Sequence, residues 1–586
     1  MEYYVPEYLW VEAMKGSKVP LLFSILFLVI FTIPIFYLIY GSIVFEVGGI
    51  PTLTWETFVR VMTSPSTGYL LINTLIFAIG GATLATVLAT LYAWIIVRTD
   101  VPGKRLLGLL PILPLTMPFL VKSFAWIYLF SPRIGLANIA LSQWFGLGPV
   151  FNIYSMAGMI FAIGTGGLPL AYLTVEPAVK SLDPALEEAS RIAGHGILKT
   201  LWKVTIPVLI PAILSAFLLL MIIGLENFDY PFMLGSTAGI DTLATEVYFA
   251  IFDMRQYGIA SIISIVYLML TITTVSIYIY VTRKTYKFVV VTGKAARESV
   301  HKLRRWKYLA LAVCFFILFF AFLLPYATLV FMSFTTFFSA AGGVVRVSFT
   351  LENYVGQTGA LNLPGFYGAI TNSIVLGLTA GIIATVLAIF LSYAALKSKV
   401  RGARLVEFVS SIPLAFPGIV YGLALFWTFL LLPGVSHLIY GTIWPLVIAL
   451  VFIRLPYCVR MISGSLIQIA DELEESSRVS GASWGRTFVK IVLPLMRRGM
   501  TNSFVYTFIN SLRELGAVVF LVTGQTVVLT TLLLNLYSQH AFALNTVAAA
   551  SVFLSLFIMI ALVLPTVLQY TLQYRQHRRK VKTPAP

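Results

Sequence analysis

Two short polar stretches of this 586-residue chain carry residue types whose order suits the docking of one protein on another. The first reads Leu186-Glu187-Glu188-Ala189-Ser190, three residues, Gly194, nine residues, then Val204-x-Ile206-Pro207. The second reads Leu473-Glu474-Glu475-Ser476-Ser477, three residues, Gly481, nine residues, then Ile491-x-Leu493-Pro494. From the second glutamate to the proline both span 19 residues (207 − 188 and 494 − 475). A carboxylate there can form a charge-assisted hydrogen bond with a basic group on another chain. Small residues at Ala189, Ser190, Ser476 and Ser477 let a foreign surface approach the backbone. Asp183-Pro184 is a helix start, a side-chain cap followed by proline at the first helical position, with Glu187 and Glu188 near the positive end of the dipole. Glycine then permits a left-handed turn that is closed to most residues. The expected element is a helix to about Gly194, a sharp redirection, and a second helix ending near Pro207: an elbow over residues 183–207, with a counterpart over 470–494.

Other chemistries lack their residues. There is no phosphate-binding loop of the form Gly-x4-Gly-Lys-Ser/Thr; the nearest fragments, Gly103-Lys104-Arg105 and Gly293-Lys294-Ala295, lack the hydroxyl residue that holds magnesium. Five histidines without ligand-like spacing argue against a metal site. Cys314 and Cys458 lie in apolar runs far apart in the chain, which leaves no disulfide framework.

What positions the elbows is a membrane protein. The chain is 59% hydrophobic and 11% charged, with a mean hydropathy of +0.92, where globular proteins are about 25% charged. A bilayer core needs about 20 apolar residues per helix. About twelve runs qualify: 19–40, 69–97, 106–130, 154–173, 208–224, 259–281, 308–332, 367–395, 406–432, 439–459, 503–522 and 547–568. The first follows Lys15 and Lys18 but has no cleavage pattern after it, so it reads as a retained helix.

The net charge of +17 gathers in alternate connections and does not suggest nucleic-acid binding. These clusters are Arg98, Lys104 and Arg105; Lys180, Arg191, Lys199 and Lys203; the segment 283–307; Lys397, Lys399, Arg401 and Arg404; and the tail Arg575, Arg578, Arg579, Lys580 and Lys582. The positive-inside rule places these loops, the elbows and both termini in the cytoplasm of a multi-pass cell-membrane protein. The tail reads as a solvated end touching anionic lipid.

An internal repeat organises the chain. Asn73, Ala85-Thr86-Val87-Leu88-Ala89, Gly103-x-Arg105-Leu106 and Pro114-Leu115-x-x-Pro118 recur as Asn372, Ala384-Thr385-Val386-Leu387-Ala388, Gly402-x-Arg404-Leu405 and Pro413-Leu414-x-x-Pro417, all 299 residues on (372 − 73). Leu168-Pro169 recurs as Leu455-Pro456 at 287 (455 − 168), so the second half is twelve residues shorter in between. Six spans per half make the repeats parallel, about an axis along the membrane normal. The expected organisation is a first membrane half over 1–282, a basic linker over 283–307, a second half over 308–574 and a basic tail over 575–586.

Ionisable residues at membrane depth are candidates for a translocation pathway: Glu226 and Asp229 after the first elbow, Arg513 and Glu514 after the second. Arg513 and Glu514 either line a path or pair with neighbouring helices. Lys122 is a weaker candidate that reads as snorkelling to the outer surface. Asn73 and Asn372 read as amides bonded to another helix. Thr242-Leu243-x4-Tyr248 recurs as Thr531-Leu532-x4-Tyr537, either facing a binding protein or packing the outer loops.

The elbow residues resemble the EAA loop of ABC importer permeases, Glu-Ala-Ala, three residues, Gly, nine residues, Ile-x-Leu-Pro, with serine for alanine at Ser190, Ser476 and Ser477 and isoleucine for leucine at Ile206. The resemblance covers nearly the whole chain after the first span. It implies an all-α membrane protein of the type I ABC importer (MetI-like) fold, with both six-helix halves fused. It further implies that Glu188, Ala189, Ser190, Gly194, Pro207, Glu475, Ser476, Ser477, Gly481 and Pro494 couple to two copies of a separate ATPase, which binds ATP and magnesium. The path would then open by alternating access, and an extracytoplasmic solute-binding protein would select the cargo. Arg513-Glu514-Leu515-Gly516 resembles the stretch that family members place beside the pathway. With Leu129-Phe130-Ser131-Pro132-Arg133-Ile134-Gly135-Leu136-Ala137-Asn138, the fused form looks most like the ferric-iron permeases, with polyamine, thiamine, phosphonate and sulfate permeases as relatives. An ion-gradient-driven secondary transporter is the rival class, but it would not need two identical elbows.

Overall fold

The computed structural model describes residues 19–47, 50–53, 55–285, 300–335, 348–397, 406, 409–432, 434, 439–538 and 544–582. Among these, eight helices are long and apolar enough to cross a membrane, and two further helix pairs qualify together across a sharp bend. In chain order the elements used below are α1 (Val19–Ile43), a small antiparallel hairpin of β1 (Val44–Val47) and β2 (Ile50–Leu53), α2 (Pro65–Arg98), α3 (Phe119–Phe130), α4 (Met156–Ser181), α5 (Pro184–Ile192), α6 (Ile206–Glu226), α7 (Leu243–Phe252) and α8 (Tyr257–Thr285). They continue with α9 (Lys307–Leu318), α10 (Leu324–Ser333), α11 (Phe366–Lys397), α12 (Gly418–Leu431), α13 (Trp444–Leu466), α14 (Asp471–Val479), α15 (Arg497–Arg513), α16 (Leu529–Ser538) and α17 (Leu544–Lys582).

Helix starts follow local chemistry. Ser64 caps α2 by accepting from the Thr67 N–H at 3.2 Å, with Pro65 at the first helical position. Ser155 caps α4 through the Gly158 N–H at 3.0 Å. α2 and α4 then run side by side in close contact, because glycines replace side chains at the seam. A Cβ on Gly81 would stand 2.3 Å from Ile163 Cγ2, and one on Gly164 would stand 2.6 Å from Leu84 Cδ2.

The third span of each repeat is bent where a straight helix was expected. Residues Lys104–Thr116 and α3 meet at 95°, and Val409–Ala415 and α12 meet at 108°. The matched prolines are the cause: Met117 and Phe416 are extended (ψ 118° and 109°), as residues before proline prefer, and Pro118 and Pro417 begin a new helix. The expected span over 503–522 is also corrected. α15 stops at Arg513, and Glu514 is extended (φ −72°, ψ 131°), so the charged pair leaves the helix and turns follow.

Three prolines in the helical stretches are preceded by a widened turn. Pro207, Pro325 and Pro494 each follow a one-turn π segment, Leu201–Thr205, Phe319–Leu323 and Phe488–Val492. The widened turn relieves the clash of the ring with the carbonyl four residues back. The second elbow helix therefore does not end near Pro207, as expected from sequence, but runs on into α6.

The structure divides into two compact units that are not the two sequence halves. One holds 365–532 with 1–54 and 556–586; the other holds 55–364 with 533–555. In the first, α1 packs on α12; in the second, α9 and α10 with their π turn pack on α2, α3 and α4. The first span of each repeat thus joins the helices of the other repeat.

Lys122 does not snorkel. It is 1% exposed, and its Nζ donates to the Ala321 carbonyl at 2.8 Å, in the π turn before Pro325. Asn73 donates to the Asp241 carbonyl (2.9 Å) and Asn372 to those of Gln525 and Val527 (both 3.0 Å), so both fasten the segment before α7 or α16. The Leu243 N–H bonds Thr74 Oγ1 as the Leu529 N–H bonds Ser373 Oγ, and Thr245 closes on Thr242 as Thr531 closes on Val528. The true offset here is 286 (529 − 243), so the sequence pairing of Thr242 with Thr531 is out of register by three. Asn138 ties the outer-loop stretch together, donating to the Ser131 and Phe151 carbonyls and accepting from the Val150 and Phe151 N–H groups.

Residues 286–299 of the linker, Lys399, Arg401 and Arg404, the match at Gly402-x-Arg404-Leu405, and Gly293-Lys294-Ala295 lie outside the described residues, as do the side chains of the basic tail.

Candidate functional site

Each elbow is a nine-residue helix, a glycine turn and a short second helix. Asp183 caps α5 through the Ala185 N–H at 2.9 Å, and the helix ends at Ile192. Gly194 (φ +82°) and Gly481 (φ +81°) take the left-handed conformation that makes the redirection, with open space where a Cβ would stand. The chain resumes as Ile197–Thr200 in the first elbow and Trp484–Thr487 in the second.

The four small residues expected to leave room for a partner divide into two kinds. Ser190 and Ser477 turn inward and bond the next helix: Ser190 Oγ lies 3.0 Å from Thr200 Oγ1 and 3.2 Å from His195 Nδ1, and Ser477 Oγ lies 2.8 Å from Thr487 Oγ1. They brace the bend. Ala189 and Ser476 stay exposed, as do Glu188 and Glu475. The same outer surface presents apolar side chains at matched positions: Leu186 with Leu473, and Ile192 with Val479, both of the latter 89% exposed.

What holds each elbow is the neighbouring glutamate. Glu187 is fully buried and Glu474 6% exposed. Glu187 Oε1 accepts from Thr205 Oγ1 at 2.7 Å, while Oε2 lies 3.1 Å from His301 Nε2 and 3.9 Å from Arg98 Nε. Burial alone would push this carboxyl up, but the hydrogen bonds from His301 and Thr205 and the charge of Arg98 outweigh it and hold it below the ordinary carboxylate range. Arg98 also donates to the Val179 and Leu182 carbonyls at 3.0 and 2.5 Å, closing the C-terminal end of α4. In the second elbow, Lys397 Nζ stands 3.4 Å from Glu474 Oε1 and donates to the Ile469 carbonyl at 2.9 Å, and Tyr393 donates to Glu474 Oε2 at 2.9 Å.

A base closing the second span therefore grips both the end of the fourth span and the elbow, once in each repeat. Sequence reading passed over Glu187 and Glu474 in favour of Glu188 and Glu475, and took Arg98 and Lys397 only as topology charges. The missed signal was that both pairs recur at the repeat offsets, 299 for Arg98 and Lys397 and 287 for Glu187 and Glu474.

Of the pathway candidates, Glu514 pairs with Arg454 of α13, accepts from the Ala517 N–H at 3.2 Å, and receives Thr530 Oγ1 on its carbonyl at 2.9 Å. Arg454 has no charged counterpart, since the matched position is Gly167, and nothing in the repeat pointed to it. Arg513 ends α15. Glu226 ends α6, and Asp229 is buried just beyond, where Asn227 Oδ1 accepts from the Tyr230 N–H at 3.0 Å. Glu226 and Asp229 belong to one compact unit, Arg513 and Glu514 to the other.

Comparison with known proteins bears on this arrangement. The chain is 29% identical over 483 residues to the putative ferric transport system permease protein FbpB 1 of Haemophilus influenzae, a match covering 81% of this chain and 72% of that protein. The ferric transport system permease protein FbpB of Actinobacillus pleuropneumoniae is also 29% identical, over 75% of this chain and 62% of its own length. The putative 2-aminoethylphosphonate transport system permease protein PhnU of Salmonella typhi is 28% identical over 38% of this chain and 77% of its own. Among solved structures, a bacterial ABC transporter involved in the import of the acidic polysaccharide alginate aligns over 48% of this chain and 99% of its own, at 18% identity and a TM-score of 0.38. Residues 377–580, from α11 through the second elbow into α17, match the model of the binding-protein-dependent transport system inner membrane component, so this part of the chain carries that permease domain, within a chain whose described residues hold eight helices long and apolar enough to cross a membrane.

Proposed function

We propose that this chain is the permease subunit of an ATP-driven importer, and that its two elbows dock two copies of a separate ATPase in the cytoplasm. The observation that carries this is the doubled outer surface: an exposed glutamate between exposed apolar residues, Glu188 with Leu186 and Ile192, Glu475 with Leu473 and Val479, on helices pinned from behind by Glu187 and Glu474. Apolar side chains this exposed at a turn suit a partner's groove, and the free carboxylate suits a basic rim around it. Because each elbow is also tied to the ends of the second and fourth spans, ATPase motion is passed to the membrane helices, and the path opens alternately to either side.

Ferric iron, delivered by an extracytoplasmic binding protein, is the proposed cargo, supported by the long matches to ferric permeases. Phosphonate is the second reading, supported by the shorter match to a 2-aminoethylphosphonate permease. The test is uptake into proteoliposomes holding this chain, its ATPase and its binding protein, with labelled ferric iron or 2-aminoethylphosphonate. Iron uptake that requires ATP and all three components is the expected result. Accumulation driven by an ion gradient without the ATPase would establish the secondary-transporter class instead.

A further inference from the structure

The two elbows are built alike but held differently, and the difference lies in the segment joining the repeats. In the second repeat the donor to Glu474 Oε2 is Tyr393 Oη, itself steadied by Trp484 Nε1 at 2.9 Å. The matched position in the first repeat (393 − 299) is Trp94, whose ring has no hydroxyl to offer. The vacant role is taken from elsewhere in the sequence: His301 Nε2 stands 3.1 Å from Glu187 Oε2, with its ring 6.4 Å from that of Trp94.

His301 is no loose visitor. It is 2% exposed, its N–H donates to the Arg98 carbonyl at 2.8 Å, its carbonyl accepts from the Asp100 N–H at 3.3 Å, and Asp100 Oδ1 accepts from the Leu303 N–H at 2.8 Å. The chain just before α9 is thus laid along the end of α2 as a strap. Since Glu187 is an ionised acceptor, the imidazole N–H is its donor.

We propose that residues 300–306, where the inter-repeat connection meets α9, are a structural part of the first docking elbow, that His301 is its positioning residue, and that the two elbows are consequently unequal: the second glutamate takes its hydroxyl donor from its own repeat, whereas the first, besides Arg98 and Thr205, takes its remaining donor from the connection between repeats. A displacement of residues 300–303 then reaches the first elbow directly through His301. The functional weight of this rests on the reading of the elbows as ATPase docking sites; the asymmetry itself does not.

The test is amide hydrogen exchange on the full-length protein in lipid nanodiscs, read over residues 184–205 and 471–492. In His301→Ala, exchange over 184–205 rises about tenfold, the loss of one charge-assisted hydrogen bond, while 471–492 is unchanged. Tyr393→Phe does the reverse. His301→Gln, which keeps a donor, and Trp94→Tyr combined with His301→Ala, which supplies a hydroxyl from within the repeat, both restore protection over 184–205. No change over 184–205 in His301→Ala, an equal change in both elbows, or rescue by neither variant overturns the proposal. ATPase binding to the same samples separates the two readings: a loosened first elbow with undiminished binding leaves the strap standing and sinks the docking assignment.

Discussion

At the level of single residues, adjacent glutamates in each elbow have opposite environments, and their substitution should separate fold from coupling. Removing Glu187 leaves Arg98 buried without its charge partner, and breaking a buried pair costs about 3–5 kcal/mol. Glu187→Ala is expected to reduce the yield of folded protein and lower its melting temperature. Glu188→Ala, on the exposed side, is expected to leave melting unchanged within about 0.5 kcal/mol while weakening ATPase binding in a pull-down. If both variants lost stability alike, the inward and outward assignments would be wrong. The pair Arg454–Glu514 makes a second case: the double variant Arg454→Gln with Glu514→Gln should be destabilised by less than the sum of the two single variants, by a coupling of about 0.5–3 kcal/mol in a thermal double-mutant cycle. Sequence found the exposed glutamates because their spacing to glycine and proline repeats. It did not separate them from Glu187 and Glu474, because which of two adjacent helical positions faces inward depends on where the second span ends. Lys122 differs from its sequence reading for a related reason: its acceptor is the carbonyl of Ala321, distant in the chain, whose usual helical donor four residues on is replaced by Pro325, and no pattern local to Lys122 announces it.

At the level of elements, the elbow depends on a turn only glycine takes without strain. Gly194 and Gly481 have left-handed φ and empty space around the missing Cβ, so Gly→Ala adds conformational strain alone, about 1–2 kcal/mol. Gly→Pro cannot adopt the angle at all. The alanine variants are therefore expected to insert normally and to bind ATPase several-fold more weakly, and the proline variants to abolish ATP-dependent uptake with insertion intact. Membrane-fraction yield, ATPase pull-down and uptake measure these three effects, and undiminished uptake in Gly194→Pro and Gly481→Pro would remove the elbows from the coupling mechanism. The elbows, the long helices and the repeat were legible because caps, glycine and apolar length are local properties. The bends of the third spans were legible in principle, since Pro118 and Pro417 and the residues before them were already matched, but hydropathy runs unbroken across both. The end of α15 at Arg513 was hidden in the same way by the apolar residues that follow Glu514.

At the level of the whole molecule, the exchange of first spans between repeats was invisible to sequence, because an offset reports likeness and says nothing about which copy a span packs against. It makes a prediction about the first repeat on its own. The compact unit built on residues 55–364 takes in α9 and α10, which belong to the second repeat, and the start of α17. Those elements supply acceptors the first repeat cannot replace. Lys122 donates to the Ala321 carbonyl, Tyr128 to the Leu544 carbonyl at 2.8 Å, and Thr116 bonds Tyr326 at 2.6 Å. Each polar group left buried without its partner costs about 1–3 kcal/mol, and more where it is charged. Stabilities of about 5–15 kcal/mol leave little room for three such losses together with the buried packing of Cys314, Ile317 and Leu318. Residues 1–285 expressed alone are therefore expected to reach the membrane but to be cleaved by protease far faster than the same residues in the full chain, and co-expression with residues 300–586 should restore their resistance. Equal resistance of the isolated first repeat would mean that the swapped spans are accessory, and that each repeat is a folding unit in its own right.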